Sequence, residues 1–288
     1  MRSPLALLPP EGGSYKTPIG LSPLIIVAIA VVMGGPMPAA QQPAAGAGAP
    51  AGLPPLFLRE GWRQLERPPG AAADFVAEGG VTPAAVTNAD LELRLYDPNA
   101  KSVPSYLKQP PTGSIARDWG GPSCIQLAGY NQNPPPQKVS AGAATDPPNL
   151  WTGVCQTSVA VTLRHKRSYV DLTGLARIRW ITRTSGFHVV RPVLKLADGM
   201  WLVGDYGEGA HSSNSTLFLD SELAIANVRW LPLDITRVVT RGQGWVEKPD
   251  LKKVDEVGFA DLLPGSGHGW GGFVNVGRIE VYGRAVAR

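Results

Sequence analysis

The 288-residue chain predicts an all-β fold, an antiparallel β-sandwich or jelly roll with a long proline-rich loop insertion, and three observations lead there. Several segments alternate apolar and polar residues with a period of two, the rhythm of a strand with one face on a core. The composition, 34 Gly and 28 Pro, is too rich in both for a mainly helical protein. No long segment repeats with the 3.6-residue period of a helix, and no internal repeat suggests a propeller or a solenoid.

Taken in order, Arg2 and Lys16 supply positive charge around the start of an apolar run, 24–33 (LIIVAIAVVM), and small residues come next at Gly34, Gly35, Ala39 and Ala40. That run is shorter than the ~18 residues a membrane helix needs. Residues 1–40 are therefore expected to be an export signal. The mature chain would then be secreted, periplasmic or on a bacterial cell surface, without a membrane span. An uncleaved tether is the alternative. Residues 41–55 (QQPAAGAGAPAGLPP) have almost no side chains to pack and read as a disordered linker. The folded domain is expected over 56–288, with Leu56, Phe57, Leu58 and Trp62 as its first anchors.

Strand signals begin after the linker. Leu91, Leu93 and Leu95 alternate with Glu92 and Arg94; Val159, Val161 and Leu163 with Ala160 and Thr162; Ile178, Trp180, Thr182 and Thr184 with Arg177, Arg179, Ile181 and Arg183. Residues 187–196 and 200–203 flank Asp198-Gly199, a tight-hairpin signal in which both central residues are expected to take positive φ. Further strands are expected at 216–220, 225–230, 254–259 and 274–282, with a short helix at 221–227 or 234–240. Residues 97–150 carry prolines from Pro98 to Pro148 and read as a loop-rich excursion, because proline removes backbone donors.

The net charge of +4 is mild and scattered, which argues against a nucleic-acid footprint. The densest basic cluster, Arg164-His165-Lys166-Arg167, reads as a solvated strand end. In an exported chain the two cysteines, Cys124 and Cys155, suggest a disulfide that would pin the insertion. Closing a loop of about 30 residues would stabilise the fold by on the order of 3 kcal/mol. Two buried free thiols are the alternative. Neither cysteine is part of a C-x-x-C, so zinc and thioredoxin-like chemistry have no support.

The segment GSGHGWGGF, 265–273, contains a G-x-G-x-x-G spacing at Gly267, Gly269 and Gly272. A dinucleotide loop needs a helix to start there, so that helix amides face the pyrophosphate. The residues after Gly272 are instead FVNVGRIEVYG, a strand pattern with an expected bend at Gly277. The run VDEVGFADLLPGSGHGWGGFVNVGRIEVYG resembles the C-terminal part of galactose-binding-like jelly rolls of the carbohydrate-binding-module type. The pattern holds best over 225–283, and exported bacterial proteins have a similar ending. The resemblance implies the fold and an expectation of glycan binding.

A sugar site needs aromatic faces and a few polar groups on loops. Trp201, Tyr206, Trp245 and Trp270 are the candidate platform, with Asp205, Glu208, His211 and His268 as hydrogen-bond partners. Trp201 has a core-filling alternative, like Trp180 and Trp230. The expected function is non-catalytic carbohydrate binding or surface adhesion, with a polysaccharide or glycan as partner and no nucleic acid. The alternatives are a glycoside hydrolase or polysaccharide lyase using loop carboxylates, and a structural envelope protein. Asp205, Glu208, Asp220, Glu222, Asp255, Glu256 and Asp261 are the candidate acids, but no spacing selects a pair. Asp255 and Glu256 are adjacent on a strand and are expected to face opposite ways. The four histidines, His165, His188, His211 and His268, are scattered and expected on the surface; G-x-S-x-G and H-E-x-x-H are absent. No cofactor is expected, although a loop calcium ion suits this fold type.

Overall fold

In a computed structural model of the chain, the residues described are 52–64, 76–99, 115–118, 123–129, 146–153, 155–209, 217–242, 244–263 and 272–288. The expected signal 1–40 and most of the linker lie outside them. Pro54 is already buried, and the Pro55 carbonyl accepts a hydrogen bond from the Gly283 amide (3.0 Å).

Among the described residues eighteen strands run in chain order: β1 (Leu56–Glu60), β2 (Val76–Gly80), β3 (Leu91–Tyr96), β4 (Ile115–Asp118), β5 (Gln126–Ala128), β6 (Asn149–Trp151), β7 (Val159–His165), β8 (Ser168–Asp171), β9 (Arg177–Gly186), β10 (Val189–Leu196), β11 (Trp201–Gly204), β12 (Glu208–Gly209), β13 (Leu219–Ala224), β14 (Trp230–Asp234), β15 (Val239–Thr240), β16 (Val254–Asp261), β17 (Gly272–Tyr282) and β18 (Arg284–Ala287). They form two sheets. The eight-stranded sheet has the order β13-β9-β17-β6-β5-β2-β4, with β1 also on β17. The ten-stranded sheet has the order β15-β14-β11-β10-β16-β7-β3, with β12 on β10, β8 on β16 and β18 on β8. Pairing is antiparallel apart from β2 with β4. The fold is the expected jelly-roll type of β-sandwich.

Between the sheets lies one core. Ile178, Trp180, Val274, Val276, Ile279 and Val281 enter it from the smaller sheet, and Val161, Leu163, Leu194, Leu202, Val257 and Phe259 from the larger. Burying side chains of this size contributes about 1.5–3 kcal/mol each relative to leaving them in water. The period of two in β9 is kept in full: Ile178, Trp180, Thr182 and Thr184 are buried and their neighbours are not. Gly277 is the extra residue of a bulge between Val276 and Arg278 against β9, the bend expected there.

Within the loop-rich 97–150 excursion or at its end lie β4, β5 and β6, whose proline-free surroundings bring Ile125, Leu127 and Leu150 into the core. Three expectations need correction. The strands expected at 216–220 and 225–230 are shifted to β13 and β14. Ile225–Asn227 forms a 3-10 turn between them, because Ile225 turns inward and its amide donates to the Ala176 carbonyl (3.0 Å). No helix forms at 221–227 beyond that turn. The 235–238 segment is a turn in which the Asp234 carboxylate accepts from the Thr236 amide and hydroxyl. At the Asp198-Gly199 hairpin only Gly199 has positive φ (90°), and its amide donates to the Leu196 carbonyl (3.0 Å). With Leu196 bonded to Met200, the connection is a three-residue loop with glycine at its end, a geometry that spares Asp198 the left-handed region.

The Cys124–Cys155 disulfide is present; it ties the segment entering β5 to the segment after β6. Thus the insertion is fastened to the smaller sheet as expected.

Candidate functional site

The outer face of the ten-stranded sheet is built by register. Trp201 lies opposite Lys195, Lys195 opposite Glu256, Glu256 opposite Arg164, and Arg164 opposite Glu92. That row crosses β11, β10, β16, β7 and β3. The next row is Val203, Val193, Gly258, Thr162 and Arg94, and a third runs Arg191, Ala260, Ala160, Tyr96. Charges alternate along the first row, and each finds its opposite. Lys195 Nζ is 2.9 Å from Glu256 Oε1 and 3.5 Å from Asp255 Oδ2; Arg164 reaches Asp255 (3.1 Å) and Glu92 (3.4 Å).

Glu256 is 2% exposed. A carboxylate taken out of water costs several kcal/mol unless it is paired and hydrogen-bonded. Here it accepts from the Tyr96 hydroxyl (2.8 Å), the Thr162 hydroxyl (2.5 Å) and Lys195 Nζ (2.9 Å). Burial, together with the Glu256 carboxylate, pushes the Tyr96 phenol well above its ordinary range.

Asp255 and Glu256 do not face opposite ways, contrary to the alternation rule. The pairing of β10 with β16 shifts between Lys195 and Leu196, so Lys195 pairs with Glu256 while Leu196 pairs with Val254. Asp255 is the extra residue of that irregularity, and both carboxylates converge on Lys195. Burial raises the Asp255 pKa, but hydrogen bonds from Arg288 and Arg164 outweigh it and hold the carboxyl below the usual range.

The aromatic groups bridge the face. The Trp201 and Tyr96 ring centroids are 4.9 Å apart at 74°, edge to face. Lys195 Nζ lies 5.5 Å from the Trp201 centroid. Three strands separate β11 from β3, so a flat sheet would hold the two backbones ~19 Å apart. The face is therefore concave, with both rings leaning inward over its middle strands. Small residues make this fit: Val193, Thr162, Ala160 and Ala260 are fully buried, and a Cβ at Gly258 would fall 1.9 Å from the Val161 carbonyl oxygen.

Asp205 and Trp245 form a separate group. Asp205 Oδ1 accepts from the Arg229 amide (2.9 Å), and the Asp205 amide donates to the Arg229 carbonyl (2.9 Å). The Arg229 guanidinium stacks 3.8 Å over the Trp245 ring, and Trp245 is 38% exposed, as its flanking glycines suggested. This group sits at the Gly204 end of β11, where Gly204 opposes Trp230 and Trp230 bridges Val246. Trp201 is at the other end of the strand, so the structure does not join it to Trp245. Tyr206 packs against the inter-sheet core. Trp180 and Trp230 are core residues, whereas Trp201 lies on the outer face. The backbone of Glu208 opposes Val190 from β12. His211, His268 and Trp270 lie outside the described residues.

His188 is buried rather than on the surface. It is 2% exposed, and its Nδ1 meets both Asp261 carboxylate oxygens (2.9 and 2.8 Å). Thr152 Oγ1 donates to Asp261 Oδ2 (2.7 Å) and accepts from the Val274 amide (3.1 Å). The cluster pins the two ends of the glycine-rich connector. Gly272 has φ 117°, and a Cβ there would fall 2.4 Å from both His188 Cδ2 and the Ser185 carbonyl oxygen. The third glycine of the G-x-G-x-x-G spacing thus opens strand β17, not a helix.

Sequence reasoning missed Tyr96, Thr162 and Lys195, and it set Glu256 aside. It searched loops for polar groups and assigned the polar face of these strands to solvent. Among the described residues no three His, Cys, Asp or Glu side chains cluster to hold a metal ion, so the calcium expectation gains no ligand set there.

No protein-family model matches the chain, and no curated protein matches it. Among solved structures the chain is similar to the family 11 carbohydrate-binding module of cellulosomal cellulase Lic26A-Cel5E of Clostridium thermocellum. The two are 14% identical, over 51% of this chain and 80% of that one, with a TM-score of 0.31. A likeness this loose carries no argument about function.

Proposed function

We propose that this chain is an exported, non-catalytic glycan-binding module that holds a saccharide on the concave outer face of its ten-stranded sheet. The observation that carries this reading is the Trp201–Tyr96 ring pair leaning over a carboxylate and an ammonium fixed at Glu256 and Lys195. A pyranose presents an apolar face to an aromatic ring and hydroxyls around its rim, and such a surface offers partners for both. The states of Asp255 and Tyr96 favour binding over chemistry. A general acid needs a carboxyl raised toward neutrality, whereas Asp255 is held low by two arginines. A phenol acting as base would need a lowered pKa, and that of Tyr96 is raised. The apolar run at 24–33 and the disulfide favour an oxidising destination outside the cytoplasm.

A glycoside hydrolase or lyase is the second reading, favoured by the meeting of two carboxylates at Lys195. One experiment separates the readings: affinity electrophoresis of the purified mature protein in gels containing plant and microbial polysaccharides, with parallel assays for new reducing ends and unsaturated products. Retardation without product is expected. Product release would transfer the case to the enzyme, and neither retardation nor product would leave a structural envelope protein.

A further inference from the structure

Two of the three donors on Glu256 are its direct surroundings: Lys195 is its cross-strand partner on β10, and Thr162 is on the adjacent strand β7. The third is not. Tyr96 stands on β3, two strands from β16, and reaches across the face to donate its hydroxyl (2.8 Å). The same reach brings its ring onto Trp201. The phenol is thus a hydroxyl on an apolar ring, seated against an aromatic and a carboxylate, which is the chemistry of a bound sugar.

Resting on the glycan-binding reading, we propose that Tyr96 is an internal placeholder and that the group it stands in for is a hydroxyl of a neutral sugar carrying a vicinal diol. Glu256 accepts from one hydroxyl of the pair, and Lys195 donates to the other. A carboxylate only accepts and an ammonium only donates, so together they suit adjacent groups that can do either. A uronate carboxylate would have to compete for Lys195 with Glu256 and Asp255, which are both already paired to it, so the site favours a neutral sugar. Binding requires the phenol to leave Glu256, so the closed contact sets back the affinity of the wild-type protein.

The test is Tyr96→Phe, which keeps the ring and removes the hydroxyl. On a neutral polysaccharide that retards the wild-type protein (β-glucan, xylan and galactomannan as probes), the variant should bind about five- to tenfold tighter. Polygalacturonate should retard neither protein, and Lys195→Met should weaken binding to the neutral polysaccharide. If the wild-type protein is retarded and Tyr96→Phe binds equally or more weakly, the placeholder is wrong while glycan binding stands. Retardation by polygalacturonate as strong as by the neutral probes would overturn the diol assignment. If nothing retards either protein, glycan binding falls, and the diol assignment with it. A sugar-free measurement tests the latch itself. In protein labelled with 5-fluorotryptophan, the Trp201 19F resonance, identified with Trp201→Phe, should gain a solvent-isotope shift in Tyr96→Phe. An unchanged shift would mean that the phenol does not hold the rings closed.

Discussion

Trp201 and Tyr96 sit on strands separated by three others, yet their ring centroids are 4.9 Å apart. That contact converts a sheet face of alternating charges into an enclosed surface. It also sets half-buried Trp201 apart from exposed Trp245. Trp201→Ala should lower retention on any polysaccharide that binds by at least about tenfold, because an aromatic contact of this kind is worth of order 1 kcal/mol beyond its buried area. Trp245→Ala should have a smaller effect, since Arg229 already covers a face of that ring. Affinity electrophoresis of both variants decides it; equal losses would move the platform to the Gly204 end of β11.

The Tyr96 phenol carries a signature at alkaline pH. Its pKa is raised in the folded state by burial and by Glu256, so the unfolded chain releases the proton first. The associated stability is fully present below the unfolded value of about 10 and is lost as pH rises from there. Urea unfolding between pH 8 and 11 should show this loss in the wild-type protein and a shallower one in Tyr96→Phe. Parallel curves would show that the phenol is not sequestered.

Asp255 gives the opposite sign. Its folded pKa lies below the usual one, so its contribution is present above about pH 4 and declines as pH falls through the folded value. Asp255→Asn should remove that acid-limb component while leaving three cations, Lys195, Arg164 and Arg288, short of a partner. The expected result is lower stability at pH 7 and a flatter stability curve below pH 4 than for the wild-type protein, read by urea unfolding.

How much of this was legible in the sequence depended on what was local. The inner faces of β7 and β9 could be read because alternation needs only neighbours: Val161 and Leu163, Trp180 and Thr182 fall where the rhythm puts them. The same rule failed at Asp255, where one irregular pairing with β10 reverses a side chain without a mark in the sequence. Tyr96 follows Glu92 and Arg94 on the polar side of β3. Its role depends on the curvature of a sheet whose strands come from distant parts of the chain, and no local pattern encodes that. The glycine connector could be denied a nucleotide role, because a strand pattern succeeds Gly272; the buried His188–Asp261 contact beside Gly272 could not be foreseen from a histidine flanked by Phe187 and Val189.

Reduction of Cys124–Cys155 should destabilise the fold by about 3 kcal/mol, since it frees a loop of 31 residues' separation in the unfolded chain. For a domain of this size that corresponds to a melting temperature lower by about 6–12 °C. Calorimetry with and without reductant, with completeness of reduction checked by thiol titration, measures it. No shift after full reduction would mean that β5 and β6 are held by their core residues Ile125, Leu127 and Leu150 alone.

Two glycines with positive φ allow the cost of conformation to be separated from the cost of contact. Gly174 has φ 67° and nothing within 4 Å of where a Cβ would stand. Gly174→Ala should therefore cost only the left-handed penalty, about 1 kcal/mol. Gly272 has φ 117°, and its added Cβ would meet His188 and the Ser185 carbonyl at 2.4 Å. The imidazole cannot yield easily, because Asp261 holds its Nδ1 and Thr152 holds Asp261. Gly272→Ala should therefore cost roughly 2–4 kcal/mol, the backbone penalty plus the strain of overpacking. Urea unfolding of the two variants side by side checks the ranking. Equal losses would show that the buried His188–Asp261–Thr152 cluster shifts without resistance and does not fix the feet of the glycine-rich connector.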